Sequence, residues 1–133
     1  MGRILIVDDN ADFCLTSAEL LRTAGHTVDT TDYAKIAVAL YKAWNYDLVI
    51  TDIVMPDMDG LELIEELRHS DPRPRVIAIS GDSKFSDPLY LPTAKRLGAE
   101  RILAKPVHSD ILLETVADVL SKPAAPTVAR VPP

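Results

Sequence analysis

The sequence is poor in features that would point to export, nucleic-acid binding or a membrane. Cys14 is its single cysteine, and no cluster of lysine and arginine occurs in a chain whose formal net charge is −6. One cysteine cannot form an intramolecular disulfide, which fits a reducing compartment. An acidic chain without a basic cluster argues against nucleic acid or an anionic membrane as the main partner. We therefore expect no direct nucleic-acid contact and no membrane contact.

Long hydrophobic runs are also missing. The first apolar run, residues 4–7, follows a single basic residue and ends at two aspartates, so it has no secretory signal pattern, and no run approaches membrane-spanning length. We expect a cytoplasmic protein. With 133 residues, 47% hydrophobic and 26% charged, the chain fits one globular domain. Cys14 lies between Phe13 and Leu15, where a buried and unreactive thiol is expected.

Short apolar runs alternate with segments of helical spacing. The predicted strands are residues 4–7, 26–30, 48–50, 76–79 and 102–104, and the predicted helices are residues 11–24, 34–44, 61–68 and 111–120. Continuous apolar strands are typical of a sheet covered on both faces, and strand 26–30, with Val28 alone strongly apolar, is expected at an edge. The alternation predicts an α/β fold with a mainly parallel, doubly wound five-stranded sheet between two helix layers.

The spacing within the segments predicts which faces are buried. In the second helix Ile36, Leu40 and Ala43 are expected to lie on the sheet, and Gly25 is expected to end the first helix. The helical pattern stops after Leu120. Residues 121–133 are rich in proline and are expected to form a tail or linker stub, so the predicted domain is residues 1–120.

Polar residues stand where the predicted strands end. Asp8 and Asp9 follow the first, Asp52 follows the third, Ser80 closes the fourth and Lys105 follows the fifth. A single aspartate in such a place is more often a helix cap or a turn residue. However, ligands of parallel sheets bind beyond the carboxyl ends of the strands. We therefore expect all five side chains to face one site.

Three carboxylates at one site repel one another, because a unit-charge pair about 4 Å apart costs roughly 4 kcal/mol at an effective dielectric near 20. An all-oxygen site of this kind suits Mg²⁺, and Lys105 would add a fixed positive charge. A cation, an ammonium group and the Ser80 hydroxyl around one carboxylate can stabilise a phosphoryl group during its transfer. The sequence therefore predicts a receiver of phosphoryl groups at Asp52.

A calcium loop in "MPDMDGLELIEE" is the alternative for the acidic segment after Asp52. Aligning Gly60 with the loop glycine places Met55, which has no side-chain oxygen, at the first ligand position. The segment also follows a strand rather than a helix, so the calcium loop is rejected. Pro56 and Gly60 are expected to form a turn into the next helix, with Asp57 and Asp59 solvating that turn.

Four motifs together resemble the receiver domain of two-component response regulators: "ILIVDDN", "DLVITDIVMPDMDG", "VIAISG" and "ILAKP". The resemblance covers residues 3 to about 120. It implies the single-domain, CheY-like version of the flavodoxin-like fold, with strand order 2-1-3-4-5.

The same resemblance implies the role of each site residue. Asp52 would accept a phosphoryl group from the phosphohistidine of a sensor histidine kinase or a histidine phosphotransfer protein. Ser80 and Lys105 would contact the phosphoryl oxygens, and Lys105-Pro106 would be a cis peptide. Gly81 would leave room for the donor. The Mg²⁺ ligands would be Asp8, Asp9, Asp52 and the backbone carbonyl of Val54.

The chain departs from the family pattern in two places. Ile102 stands where the family has an aromatic residue that couples phosphorylation to the surface, and an isoleucine cannot swing a ring. The segment after Ser80 is longer than usual, and Pro88 and Pro92 are expected to delay or shorten the family's helix between the fourth and fifth strands, leaving a polar loop at 81–92.

Three side chains of the longer segment, Phe85, Tyr90 and Leu91, are expected to cover the core, with a partner-binding patch as the alternative. Val54 and Asp82 flank the site at positions that influence the lifetime of the phosphoryl group in the family, and Val54 cannot position water.

The resemblance implies a phosphoacceptor that signals to an unknown downstream protein through the fifth strand and the helix that precedes it. The chain would not be an enzyme beyond slow self-hydrolysis. Three alternatives remain: a receiver from a hybrid kinase or DNA-binding regulator, an aspartyl-phosphate phosphatase, and a pseudo-receiver without chemistry. The phosphatase is disfavoured because its general acid would fall at Val54.

Overall fold

Five parallel strands and four helices make up the part of the chain that the computed structural model describes, which is residues 2–53, 60–70, 72–80, 96 and 98–122. The strands are β1 (Arg3–Val7), β2 (Thr27–Thr31), β3 (Leu48–Asp52), β4 (Arg75–Ser80) and β5 (Ala99–Ala104). The helices are α1 (Ala11–Thr23), α2 (Ala34–Trp44), α3 (Gly60–Leu67) and α4 (Ser109–Ser121).

The strands form one parallel sheet in the order β2-β1-β3-β4-β5, so the predicted fold class and strand order are confirmed. β1 pairs with both β2 and β3, and in the register Val7 lies opposite Thr31 on one side and Thr51 on the other. β4 pairs with β3 and β5, with Ser80 opposite Ala104. The carboxyl ends of the strands therefore meet along one edge of the sheet.

Two hydrophobic cores lie on opposite faces of this sheet. One face packs against α2 and α3, and the other packs against α1 and α4. Successive residues of a strand point to opposite faces, so Leu5 belongs to the first core while Ile4 and Ile6 belong to the second. All residues of β3 are buried, as the continuous apolar runs predicted for a doubly covered sheet.

Helix α1 is fixed at both ends by local sequence. The Asn10 side chain accepts a hydrogen bond from the Phe13 N–H and caps the first turn. Ala24 is the C-cap residue of the helix. Gly25 follows with a φ of 103°, a conformation that favours glycine. The expected end of this helix at Gly25 is confirmed.

The predicted buried face of α2 is wrong for two of its three residues, while the third, Leu40, packs partly buried against the core. Ala34, Ala37 and Tyr41 face the sheet, whereas Ile36 is 46% exposed and Ala43 is also exposed. Tyr41 explains the rotation, because its ring is 1% exposed and its O–H donates to the Pro72 carbonyl at 2.5 Å. A buried tyrosine with a satisfied hydroxyl, set between small alanines, fits this space closely against the sheet.

The two outer strands are the least buried. Val28 is the one buried residue of β2, and the other four are exposed or half-buried, as predicted for an edge strand. β5, at the other edge, is covered only in part, and Ile102 is half-buried against the core formed with α2 and α3.

Several sequence predictions fall outside the described residues. They are the turn at Pro56 with Asp57 and Asp59, the loop 81–92 with Phe85, Tyr90 and Leu91, the delayed helix before β5, and the part of the predicted tail 121–133 that follows Lys122. The backbone carbonyl of Val54 and residues Gly81 and Asp82 also lie outside them.

Candidate functional site

The site is built from the carboxyl ends of four neighbouring strands. Asp8 follows β1, Asp52 is the last residue of β3, Ser80 is the last residue of β4, and Lys105 follows β5. Backbone hydrogen bonds continue the sheet past these ends, since the Lys105 N–H donates to Ser80 O at 3.0 Å. The Ile53 N–H likewise donates to Ile79 O at 2.9 Å. These bonds fix where the side chains point.

Three carboxylates meet at this edge. Asp8, Asp9 and Asp52 each offer an oxygen, and these oxygens all lie within 4.8 Å of one another. Asp8 is 1% exposed and Asp52 is 8% exposed, whereas Asp9 faces solvent. Because two of the three charges are removed from water, their repulsion is poorly screened and requires a positive partner.

Lys105 provides a positive charge inside the site. Its ammonium nitrogen lies 2.7 Å from Asp8 Oδ2 and 3.9 Å from Asp52 Oδ2. The lysine side chain is 21% exposed, so the ion pairs are mostly shielded from solvent. The ammonium nitrogen also lies 4.6 Å from the centre of the Phe13 ring. One ammonium group therefore compensates only part of the charge of three carboxylates.

The first turn of α1 holds Asp8 in place. Asp8 Oδ1 accepts a hydrogen bond of 2.8 Å from the Asn10 N–H, and the Cys14 thiol donates to the Asp8 carbonyl at 3.2 Å. Asp8 Oδ2 is buried, and the Lys105 ammonium 2.7 Å away is its charged partner. A further cation at the cluster would share the Asp8 carboxylate with this ammonium group.

The donor set fits Mg²⁺. It consists of carboxylate oxygens only, these oxygens lie within 4.8 Å of one another, and the exposed Asp9 leaves one side open to water. Magnesium prefers oxygen ligands and keeps several waters, so two or three carboxylates with an open side suit it. Asp8, Asp9 and Asp52 are the described residues that could hold the ion.

Cys14 is buried, as predicted, and we expect it to be unreactive in the folded protein. Burial, with the nearby Asp8 charge adding to it, raises the pKa of the thiol to about 11. Because the thiolate is the nucleophile, alkylation by iodoacetamide near pH 8 should be much slower than in urea-unfolded protein. Mass spectrometry of quenched time points measures both rates, and equal rates would contradict the buried position.

Ser80 and the Lys105-Pro106 bond complete the described part of the site. Ser80, the last residue of β4, is 3% exposed. It pairs with Ala104, the residue before Lys105. The Lys105-Pro106 peptide is cis, as the resemblance implied. The structure therefore places all five of the strand-end residues predicted from sequence along one edge of the sheet, and it brings Asp8, Asp9, Asp52 and Lys105 into contact distance.

Sequence reasoning missed two residues that shape the site. Asn10 caps α1 and binds Asp8 through its backbone, and the preference for asparagine just before a helix could have indicated the capping role. Phe13 contacts Lys105, and no local pattern links residues so far apart in the chain.

A 2-1-3-4-5 parallel sheet of this kind defines a flavodoxin-like α/β protein with the CheY fold. The chain belongs to the response regulator receiver domain family, whose model matches residues 4–117. It is 39% identical over 114 residues to a response regulator receiver protein from Anaeromyxobacter sp., covering 86% of this chain and 47% of that protein. It is 28% identical over 120 residues to the cell cycle transcriptional regulator CtrA of Caulobacter vibrioides, covering 90% of this chain and 51% of that protein.

Solved structures agree with this assignment. The chemotaxis response regulator CheY4 of Vibrio cholerae matches with a TM-score of 0.81 and 26% identity, covering 90% of this chain and 98% of that one. NtrX from Brucella abortus matches with a TM-score of 0.81 and 30% identity, covering 90% of this chain and 27% of that one. The chain thus spans about half the length of the first two relatives. No helix in the described residues is long and apolar enough to cross a membrane.

Receiver domains of two-component systems are signalling domains. Members of the family bind Mg²⁺ at an acidic pocket, and response regulators receive phosphate from histidine kinases. This chain has a cluster of three aspartates at the carboxyl ends of its strands.

Proposed function

We propose that the protein is a phosphoacceptor of a two-component pathway that takes a phosphoryl group onto Asp52. The observation that supports this proposal most is the cluster of Asp8, Asp9 and Asp52, whose oxygens lie within 4.8 Å, beside an ammonium group. A structural role alone does not explain three clustered carboxylates, two of them buried, because such a cluster destabilises the fold.

In the proposed reaction a carboxylate oxygen of Asp52 attacks the phosphorus of a phosphohistidine. The phosphorus–nitrogen bond breaks as the oxygen–phosphorus bond forms, and the imidazole nitrogen leaves and takes up a proton. Lys105 and Ser80 would stabilise charge on the phosphoryl oxygens. Mg²⁺, when held by Asp8, Asp9, Asp52 and the Val54 carbonyl, would neutralise carboxylates and phosphoryl oxygens. The donor would be a sensor histidine kinase or a histidine phosphotransfer protein.

The phosphorylated protein would act through a changed surface rather than through turnover. A phosphoryl group adds roughly −1.5 to −2 charges by analogy with other phosphoresidues, which should draw Ser80 and its loop inward. Since Ile102 has no ring to rotate, the half-buried isoleucine would transmit this shift only by repacking against the core. We propose an unidentified downstream protein as the target, slow self-hydrolysis as the only turnover, and a cytoplasmic location.

A receiver that is part of a larger regulator is the second arrangement to consider, because the relatives CtrA and NtrX are longer than this chain. In either arrangement residues 1–120 would form the receiver and residues 121–133 a tail or linker. The full-length reading frame distinguishes the two arrangements.

The proposal is tested by Mg²⁺-dependent phosphorylation. Protein incubated with acetyl phosphate and Mg²⁺ should gain the mass of one phosphoryl group, whereas protein in excess EDTA should stay unmodified because carboxylate repulsion is then uncompensated. Intact-mass spectrometry over time measures both. Equal incorporation with and without the metal would contradict the proposed metal site.

Failure with acetyl phosphate and also with a phosphorylated histidine kinase would favour a pseudo-receiver. Steady release of phosphate from small phosphoesters over many turnovers would instead favour the phosphatase.

A further inference from the structure

An aromatic ring lies against the lysine of the site. The Lys105 ammonium nitrogen is 4.6 Å from the centre of the Phe13 ring, within the range at which a ring face attracts a cation. The same nitrogen is 2.7 Å from Asp8 Oδ2 and 3.9 Å from Asp52 Oδ2. The ammonium group is thus held by two carboxylates and a ring, and its side chain is 21% exposed.

The position of the ring is coupled to that of Asp8 through Asn10. The Asn10 side-chain oxygen accepts from the Phe13 N–H at 3.0 Å, and the Asn10 N–H donates to Asp8 Oδ1 at 2.8 Å. The ring and the carboxylate that share the ammonium group are therefore fixed by one short segment. This arrangement defines the space in which the ammonium group sits.

We propose that Phe13 is a positioning residue that holds the Lys105 ammonium group on Asp8 and thereby sets how readily a divalent cation replaces it. A metal ion at the acidic cluster needs the lone pairs of Asp8, and the ammonium group lies against Oδ2, one of the two carboxylate oxygens. The two cations compete for that oxygen. The competition and the role in phosphoryl transfer rest on the proposed function, whereas the contact between Phe13 and Lys105 does not.

Replacing the ring should shift this competition towards the metal. Phe13→Leu keeps an apolar side chain but removes the ring face, so Mg²⁺ should bind about two- to fivefold more tightly, the size expected from a partly shielded cation–π contact. Phe13→Tyr retains a ring and should bind Mg²⁺ as the wild type does. The matched control is Leu15→Ala on the same helix, because Leu15 is 69% exposed and should leave the affinity unchanged.

Two measurements test the inference. In NMR spectra of protein labelled in its lysines, the ε-methylene protons of Lys105 should be shifted upfield by the Phe13 ring in wild type and Phe13→Tyr, and not in Phe13→Leu. Lys105→Arg identifies the signal by removing it. Calorimetric titration with Mg²⁺ then gives the affinities. Phe13→Met serves as a second apolar variant if Phe13→Leu fails to fold, which its chemical-shift dispersion reveals.

The inference is supported if the wild type and Phe13→Tyr both show the upfield shift and bind Mg²⁺ more weakly than Phe13→Leu. Unchanged lysine shifts and unchanged affinity in folded Phe13→Leu would overturn it. Wild-type protein that shows the ring-dependent shift and binds Mg²⁺, yet accepts no phosphoryl group, would overturn the proposed function while still supporting the role of Phe13.

Discussion

Asp52→Asn should keep an unmodified intact mass in acetyl phosphate and Mg²⁺, under conditions in which the wild type gains one phosphoryl group. The amide that replaces the carboxylate is neutral, its oxygen is a poor nucleophile, and one of the three clustered charges is lost. We therefore expect complete loss of incorporation rather than a slower rate. The time course of intact mass measures the effect directly.

Asp110→Asn is the matched control, because Asp110 is an exposed carboxylate in the first turn of α4. This variant should incorporate the phosphoryl group at the wild-type rate. A mass gain in Asp52→Asn equal to that of wild type would mean that another side chain accepts the group. Peptide mapping would then identify that side chain, and the assignment of Asp52 would be wrong.

The charge balance of the site explains why the proposed nucleophile, a metal ion and the lysine would have to act together. Asp8 and Asp52 are almost fully buried, and Lys105 offers one positive charge to both. Burial of an unpaired carboxylate is costly, so each carboxylate needs its share of positive charge. A divalent ion would complete that balance, and under the proposed function a phosphoryl group would add oxygens for both cations to contact.

Much of this fold was predictable because the local signals and the global fold agree. β1 and β4 are continuous apolar runs, α1 has a cap at Asn10 and a glycine after its end, and both features act over a few residues. The edge position of β2 was predicted because Val28 is its single strongly apolar residue. Parallel topology then placed Asp8, Asp52 and Lys105 at one edge of the sheet.

Two features were not predictable from local patterns. The face of α2 is set by Tyr41, whose ring and hydroxyl fit a space formed partly by Pro72, so the helix turns Ile36 outward against its apolar spacing. Likewise the contact between Phe13 and Lys105 depends on how α1 lies beside the end of β5. Both depend on packing between distant segments, which overrides periodicity.

Gly60→Ala should destabilise the protein by about 3 kcal/mol, the upper part of the usual range for overpacking a close contact. A Cβ on Gly60 would lie 2.2 Å from Asp52 O and 2.6 Å from Ile53 Cα. Both atoms belong to the backbone, so no rotamer change can relieve the clash, and the start of α3 must move off the end of β3. The Gly60 N–H also donates to Ile53 O at 2.6 Å, and that bond would be strained.

The free energy of unfolding in urea measures this effect, and Ala39→Gly provides its control. Ala39 is exposed on α2, so the exchange between alanine and glycine there changes only the helix propensity. Ala39→Gly should therefore lower the free energy of unfolding by about 0.5–1 kcal/mol. Helix propensity alone would make Gly60→Ala more stable than the wild type, whereas the backbone clash makes it less stable. The sign of the change in unfolding free energy therefore distinguishes the two effects. A Gly60→Ala protein as stable as the wild type would show that α3 does not start against the Asp52 carbonyl. Because the displaced carbonyl belongs to Asp52, the destabilised variant should also accept a phosphoryl group more slowly, which links this backbone contact to the geometry of the site.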